Sequence, residues 1–336
     1  MALLLVVFLS FIPMLIYAGI LWWLDRYEKE PLGLLLAAFL WGCIPAVILA
    51  IVFEVVLDIP ISVISPAGVV YDLLGSALAA PFIEETTKGV ALLLLLLFWR
   101  RELDSPLDGI IYGGMVGFGF AAVENVLYLG SAYSEGGASG ALSLAAFRAG
   151  LFGLNHAMYT GFTGLGLALA LDSKKGLGRW LWPILGFAAG MGMHMFHNGM
   201  ATFMSYLESD APLLVLVLGD WAGVLTLLIV AAISLYLERK RIRAWGEVYV
   251  RSGYITTQEV ALLSSSTRRW GAALRLLGRL NFAGWRALER YLWTATELAY
   301  VWHRANRGDR VPSGDFTRYH EALLAHRARA LQLGAL

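Results

Sequence analysis

The chain has 336 residues, of which 58% are hydrophobic and only 15% charged, with a mean hydropathy of +0.65. That balance excludes an ordinary water-soluble domain and points to a polytopic, all-α membrane protein. The formal net charge of +1 conceals an asymmetry: residues 1–236 carry 9 Lys+Arg against 17 Asp+Glu, whereas residues 237–336 carry 17 against 8, with Arg supplying 16 of those 17 cations. The single cysteine, Cys43, excludes an intrachain disulfide and a cysteine-based zinc site.

In chain order, apolar runs of spanning length fall near 3–24, 31–57, 73–99, 107–130, 142–171, 181–206 and 211–236, each holding about 20 residues or more. They predict about seven transmembrane helices. The first run is too long for a signal-peptide core and reads as a retained span. Links after the first, third, fifth and seventh runs hold Arg26 and Lys29, Arg100 and Arg101, Lys174, Lys175 and Arg179, and Arg239, Lys240, Arg241 and Arg243. The other three links hold no Lys or Arg. Under the positive-inside rule this places the N-terminus outside and the C-terminal tail in the cytoplasm. The expected division is therefore a membrane core over 1–236 and a basic helical tail over 237–336.

In the middle of the chain, glycines such as Gly113 and Gly117 recur at the four-residue spacing that lets helices approach closely in lipid. In the tail, apolar and basic residues alternate at helical spacing around Ala272–Leu280 and Leu323–Leu331. This pattern suits contact with an anionic leaflet or a solvated helical domain, and nucleic-acid binding is not expected. His303, His320 and His326 read as surface residues.

Chemistry concentrates where the membrane makes it costly. Glu84, Glu85 and Lys88 sit inside the third apolar run, where an ionised group costs roughly 2.5–3.5 kcal/mol unless it is paired or faces a polar cavity. Glu124 and Asn125 lie in the fourth run, Asn155 and His156 in the fifth, and His194, His197 and Asn198 in the sixth. Counted from the outer helix ends at 1.5 Å per residue, Glu84, Glu124, His156 and His194 all lie roughly 10–20 Å deep, so they can meet at one level. Glu84 and Lys88, like His194 and Asn198, are four residues apart and share a helix face. Glu84 and Glu85 point about 100° apart, so one should face the site and the other a neighbouring group, with Lys88 as counter-charge. Two histidines and one or two carboxylates make a ligand set for a divalent metal, most simply Zn2+, which would acidify a water and leave a glutamate to take its proton. Read alone, the same carboxylates and histidines also suit a proton- or cation-coupled transporter or channel, although neither paired half-helices nor an inverted repeat is evident. Asp220 reads as a supporting or structural acid, Glu54 as an interfacial one, and Arg148 as reaching towards the outer interface.

Glu84-Glu85-x-x-Lys88, Phe120-x-x-x-Glu124-Asn125, Asn155-His156-Ala157 and His194-x-x-x-Asn198, in this order, resemble the motifs of PrsW-type intramembrane metalloproteases, and Asp25–Pro31 resembles that family's first loop. The resemblance covers residues 20 to about 236. It implies an endopeptidase that cuts a membrane protein, with an anti-sigma factor as the family's best-known substrate type. It further implies Glu84 or Glu85 as the base, Glu124, His156 and His194 around a metal or a water, and Asn198 as an oxyanion or positioning group. Lys88, Asn125 and His197 would then support those residues, with His194 and His197 both open as the ligand of the sixth run.

Overall fold

The structure, a computed structural model, describes residues 1–336 apart from 66, 174, 175, 208, 210, 309 and 310. Lys174 and Lys175, used in the charge reading, thus lie outside the described residues. Every regular element among the described residues is helical. Among the described residues four stretches are long and apolar enough to cross a membrane: Ala2–Leu24, Leu32–Ile64, Pro106–Asp172 and Ala211–Arg251. The chain divides into two compact units, one of residues 1–25 and 30–232, the other of residues 26–29 and 233–336.

The first unit contains α1 (Ala2–Leu24), α2 (Leu32–Ile64), α3 (Ala80–Phe98), α4 (Pro106–Ala145), α5 (Asn155–Asp172), α6 (Gly178–Leu207) and the first half of α7 (Ala211–Arg251). Helix α4 starts on a capping box in which Ser105 and Asp108 satisfy each other's backbone N–H groups. It packs most extensively on α5, and α5 in turn on α6. The close approach of α4 to α5 needs glycine: a Cβ on Gly113 would overlap the Thr160 carbonyl, and one on Gly117 the His156 carbonyl. Gly117→Ala is therefore expected to force α5 away at the residue that carries the imidazole. We expect it to cost about 1–3 kcal/mol by overpacking, read as a lower melting temperature, whereas an unchanged melt would refute the close contact.

One run expected as a single span is interrupted. Residues 73–79 form a π-helical stretch that passes directly into α3, whereas the run from 142 breaks after a π-helical stretch at Ala146–Leu151, so α5 starts afresh at Asn155. His156 is consequently the second residue of a helix, not a residue of its middle. Gly153 sits at the break, where a Cβ would overlap the Ala149 carbonyl and the Tyr17 ring.

The second unit is a helical domain with its own core. The second half of α7 is followed by α8 (Thr257–Leu263), α9 (Ser266–Gly278), α10 (Phe282–Asn306) and α11 (Asp315–Gln332). Trp245, Tyr249, Leu263, Leu276, Leu288, Tyr291, Leu298 and Leu323 are buried together with Tyr27 of the segment 26–29. Arg269 is buried among them and donates to the carbonyls of Leu263 and Tyr27 and to the Thr296 hydroxyl, at 2.9, 3.1 and 3.0 Å. His320 and His326, expected as plain surface residues, are half-buried and hydrogen-bonded to Tyr249 and Thr294 at 3.0 and 2.8 Å.

Glu259 is the polar hinge-pin of this unit. Its carboxylate accepts from Arg327 Nε and Nη2 at 2.6 and 3.0 Å, from Tyr291 Oη at 3.1 Å and from Thr256 N at 2.8 Å in a capping box. Burial alone would raise its pKa, but the bonds from Arg327 and Thr256 outweigh that and hold it below the ordinary carboxylate value. A depressed folded-state pKa gives stability that is present above the unfolded value of 4.5 and is lost as pH falls through the folded one. Glu259→Gln should remove about 1–3 kcal/mol at neutral pH and flatten the acid limb of the stability curve. A variant that keeps the wild-type acid limb would show that another group produces it.

Candidate active site

Helix α3 brings Glu84, Glu85 and Lys88 to the inside of the first unit, each of them buried. Lys88 is the hub: its Nζ lies 3.0 Å from Glu84 Oε2, 2.8 Å from Glu85 Oε1 and 3.0 Å from His156 Nδ1, and 3.7 Å from the centroid of the Phe120 ring. Residues expected to point apart therefore converge, because the lysine takes one oxygen from each glutamate. Trp41 Nε1 of α2 donates to the Thr87 carbonyl at 3.0 Å and fixes this part of α3 from its other side.

The two glutamates are not equivalent. Both oxygens of Glu85 are engaged, one by Lys88 and His194 Nδ1 (3.1 Å), the other by the Thr160 hydroxyl (3.0 Å). Glu84 gives Oε2 to Lys88, and that oxygen lies 4.0 Å from both His156 Nδ1 and His194 Nε2. It is thus the carboxylate with spare capacity beside both rings. His194 is held by Tyr159, whose ring stacks on it at 4.5 Å and 14°.

Glu84, Glu85, His156 and His194 each offer one ligand atom, and these atoms all lie within 4.8 Å of one another. The donor set, two imidazoles and two carboxylates with all but His156 buried, fits a divalent transition metal in kind. His194 belongs to this group and His197 does not.

Glu124, expected around the metal, is set one step back. Its Oε2 pairs with His156 Nε2 at 2.8 Å and with Arg148 Nη2 at 2.6 Å. A carboxylate on the far nitrogen of an imidazole fixes the ring and its tautomer, the usual outer support of a ligating histidine. Arg148 does not reach out to the interface: it turns inward onto Glu124, donates to Asn125 Oδ1 at 2.9 Å and covers the Tyr128 ring at 3.9 Å. A partnered guanidinium is far less costly in that surrounding than a lone one.

His197 joins a second cluster, in which its Nδ1 meets Asp220 Oδ2 at 2.7 Å while Asn155 Nδ2 reaches the same oxygen at 2.8 Å. This ties the first turn of α5 to α6 and α7 beside His156. Asn198 lies outside both clusters and donates its amide to the Ser76 carbonyl at 2.8 Å, joining α6 to the π-helical stretch. Thr160 and Tyr159 were not singled out from sequence. Their signal was there, since they stand four and three residues after His156 and so share its face.

With this geometry in hand, comparison with known proteins is informative. A family profile described as PrsW family intramembrane metalloprotease matches residues 30–235. The chain belongs to that family. All four clustered residues, with Lys88, Glu124 and Asp220, fall inside the matched PrsW region, whereas most of the second unit lies beyond it. Protease PrsW of Geobacillus kaustophilus (strain HTA426) is 37% identical over 106 residues, covering 31% of this chain and 43% of that protein. Protease PrsW of Bacillus subtilis (strain 168) is 33% identical over 110 residues, 31% of this chain and 44% of that protein. Protease PrsW of Clostridioides difficile (strain 630) is 32% identical over 123 residues, 36% of this chain and 49% of that protein. The chain thus spans less than half the length of these PrsW relatives. No solved structure matches it.

Proposed function

We propose that this chain is an intramembrane endopeptidase that hydrolyses peptide bonds of a membrane protein. The observation that carries the reading is the buried meeting of Glu84, Glu85, His156 and His194 in a chain of the PrsW family. Family membership also favours hydrolysis over transport by the same carboxylates.

Glu85, His156 and His194 are the residues that would hold a metal, and zinc is the simplest occupant of such a set. When bound, it supplies Lewis acidity that polarises a carbonyl and acidifies water. The chain's own residues do the remainder. Glu84 takes the proton of the attacking water, since it alone of the pair keeps an uncommitted side beside both imidazoles. Thr160 keeps Glu85 in place, Glu124 and Arg148 keep His156, and Tyr159 keeps His194. Asn198, whose amide is committed to Ser76, acts as a positioning group. The arrangement of seven spans, with the N-terminus outside and a basic domain from 237 onward in the cytoplasm against anionic lipid, is part of the same proposal and rests on the Lys and Arg distribution. An anti-sigma-factor-like protein is the proposed kind of substrate.

The test is reconstitution of the purified protein with a panel of single-span membrane proteins and mapping of products by mass spectrometry. Cleavage within or next to a span supports the reading. Intact substrates combined with ion flux across the same vesicles would replace it with the transport reading.

A further inference from the structure

The lysine is the unusual member of the site. Its ammonium is fully buried, and it accounts for Glu84 Oε2, Glu85 Oε1 and His156 Nδ1 at once, with an aromatic face beneath it. Two carboxylates and a ring nitrogen around one cation form the kind of donor set that a divalent ion would also claim, and the lone pairs that bind a metal are the ones that receive the lysine's protons. His156 Nδ1 shows the conflict most plainly. Its other nitrogen, Nε2, already faces Glu124, so Nδ1 is the lone pair left to offer, and Lys88 has it.

We propose that Lys88 is a built-in competitor for the metal: its ammonium and a divalent ion share Glu85 and His156, and binding of one expels the other. The inference rests on the metal-site reading given above. It gives Lys88 a function beyond balancing charge. A dication on Glu85 and His156 must break two short contacts to a buried cation, of 2.8 and 3.0 Å, so metal affinity is held down and the loaded site is reversible. Conversely, the carboxylates never stand uncompensated in the apolar interior, because the ammonium takes them back when the metal leaves.

The test is zinc binding, measured by titration calorimetry and elemental analysis on the purified full chain in detergent. Lys88→Met is expected to bind zinc about 10- to 100-fold more tightly than the wild type, the range of ordinary coupling between two linked binding events. Lys88→Arg keeps the cation and should bind no more tightly than the wild type. Removing the lysine could prevent folding, and then the measurement becomes recovery of folded Lys88→Met with and without zinc during purification. Rescue by zinc is the expected result. Equal zinc affinity in wild type and Lys88→Met, zinc binding by neither, an Arg variant as tight as the Met variant, or no zinc rescue would each overturn the inference. If the affinities order as expected while no substrate is cut, the protease reading fails and the competition stands.

Discussion

Glu84→Gln is expected to reduce cleavage of a reconstituted substrate by about 10²- to 10⁴-fold, the contribution of a positioned general base, with little change in the amount of folded protein. The substitution keeps the shape and an acceptor for Lys88 Nζ, which lies 3.0 Å away, but removes the group that can accept a proton. Glu85→Gln is the informative companion. Glu85 holds Lys88, His194 and Thr160 together, so its amide would place N–H groups against at least one donor and leave the lysine one carboxylate short. That variant should lose melting temperature as well as activity, whereas Glu84→Gln loses activity alone. Full activity in Glu84→Gln, with activity lost in a normally folded Glu85→Gln, would exchange the two assignments.

Arg269→Met should produce the largest loss of stability in the second unit. Burial pulls the Arg269 guanidinium down to about 10, which leaves it charged at neutral pH, and its bonds go to two carbonyls and a hydroxyl. Replacement strands these three acceptors in the core, each at about 1–3 kcal/mol, while the methionine recovers part of the loss by packing. A net cost of about 3–5 kcal/mol is a large fraction of the 5–15 kcal/mol that holds a typical domain. It should appear as a strongly lowered melt and as early proteolysis within 233–336. Arg269→Lys keeps the charge but not the three-way fork, and should fall between. A melt within about 2 °C of wild type for the methionine variant would mean that the fork stabilises nothing, since even 1 kcal/mol moves a domain of this size by several degrees.

Much of the site is readable in the sequence because it is local. Glu84 and Lys88 stand one helical turn apart, and four runs carry their polar residues at one depth. What sequence does not disclose is pairing between runs. Arg148 looked like a cation near a helix end, and only the turn of the chain through residues 146–154 aims it at Glu124. Spacing does not distinguish His194 from His197, and what separates them in the structure is Asp220, which lies on α7 and meets His197 while His194 faces Glu85. Glu124 reads as a ligand by residue type, yet its place behind His156 follows from the break that makes His156 the start of α5. In the second unit helical spacing is legible around 272–280 and 323–331, but neither the long helix Phe282–Asn306 nor the membership of Tyr27 in the core is. The contact to Ser264 joins residues 237 positions apart.

That last pairing has a consequence for synthesis. Residues 26–29 are flanked on both sides by helices of the first unit, yet their structural partners are residues 233–336, which are translated later. At translation rates of about 5–20 residues per second, Tyr27 waits roughly ten seconds or more before Ser264 and Arg269 exist to receive it. Until then the Tyr27 ring, buried in the finished protein, has no core to enter. A chain cut short before α9 therefore leaves the Tyr27 ring without the core that buries it in the finished protein.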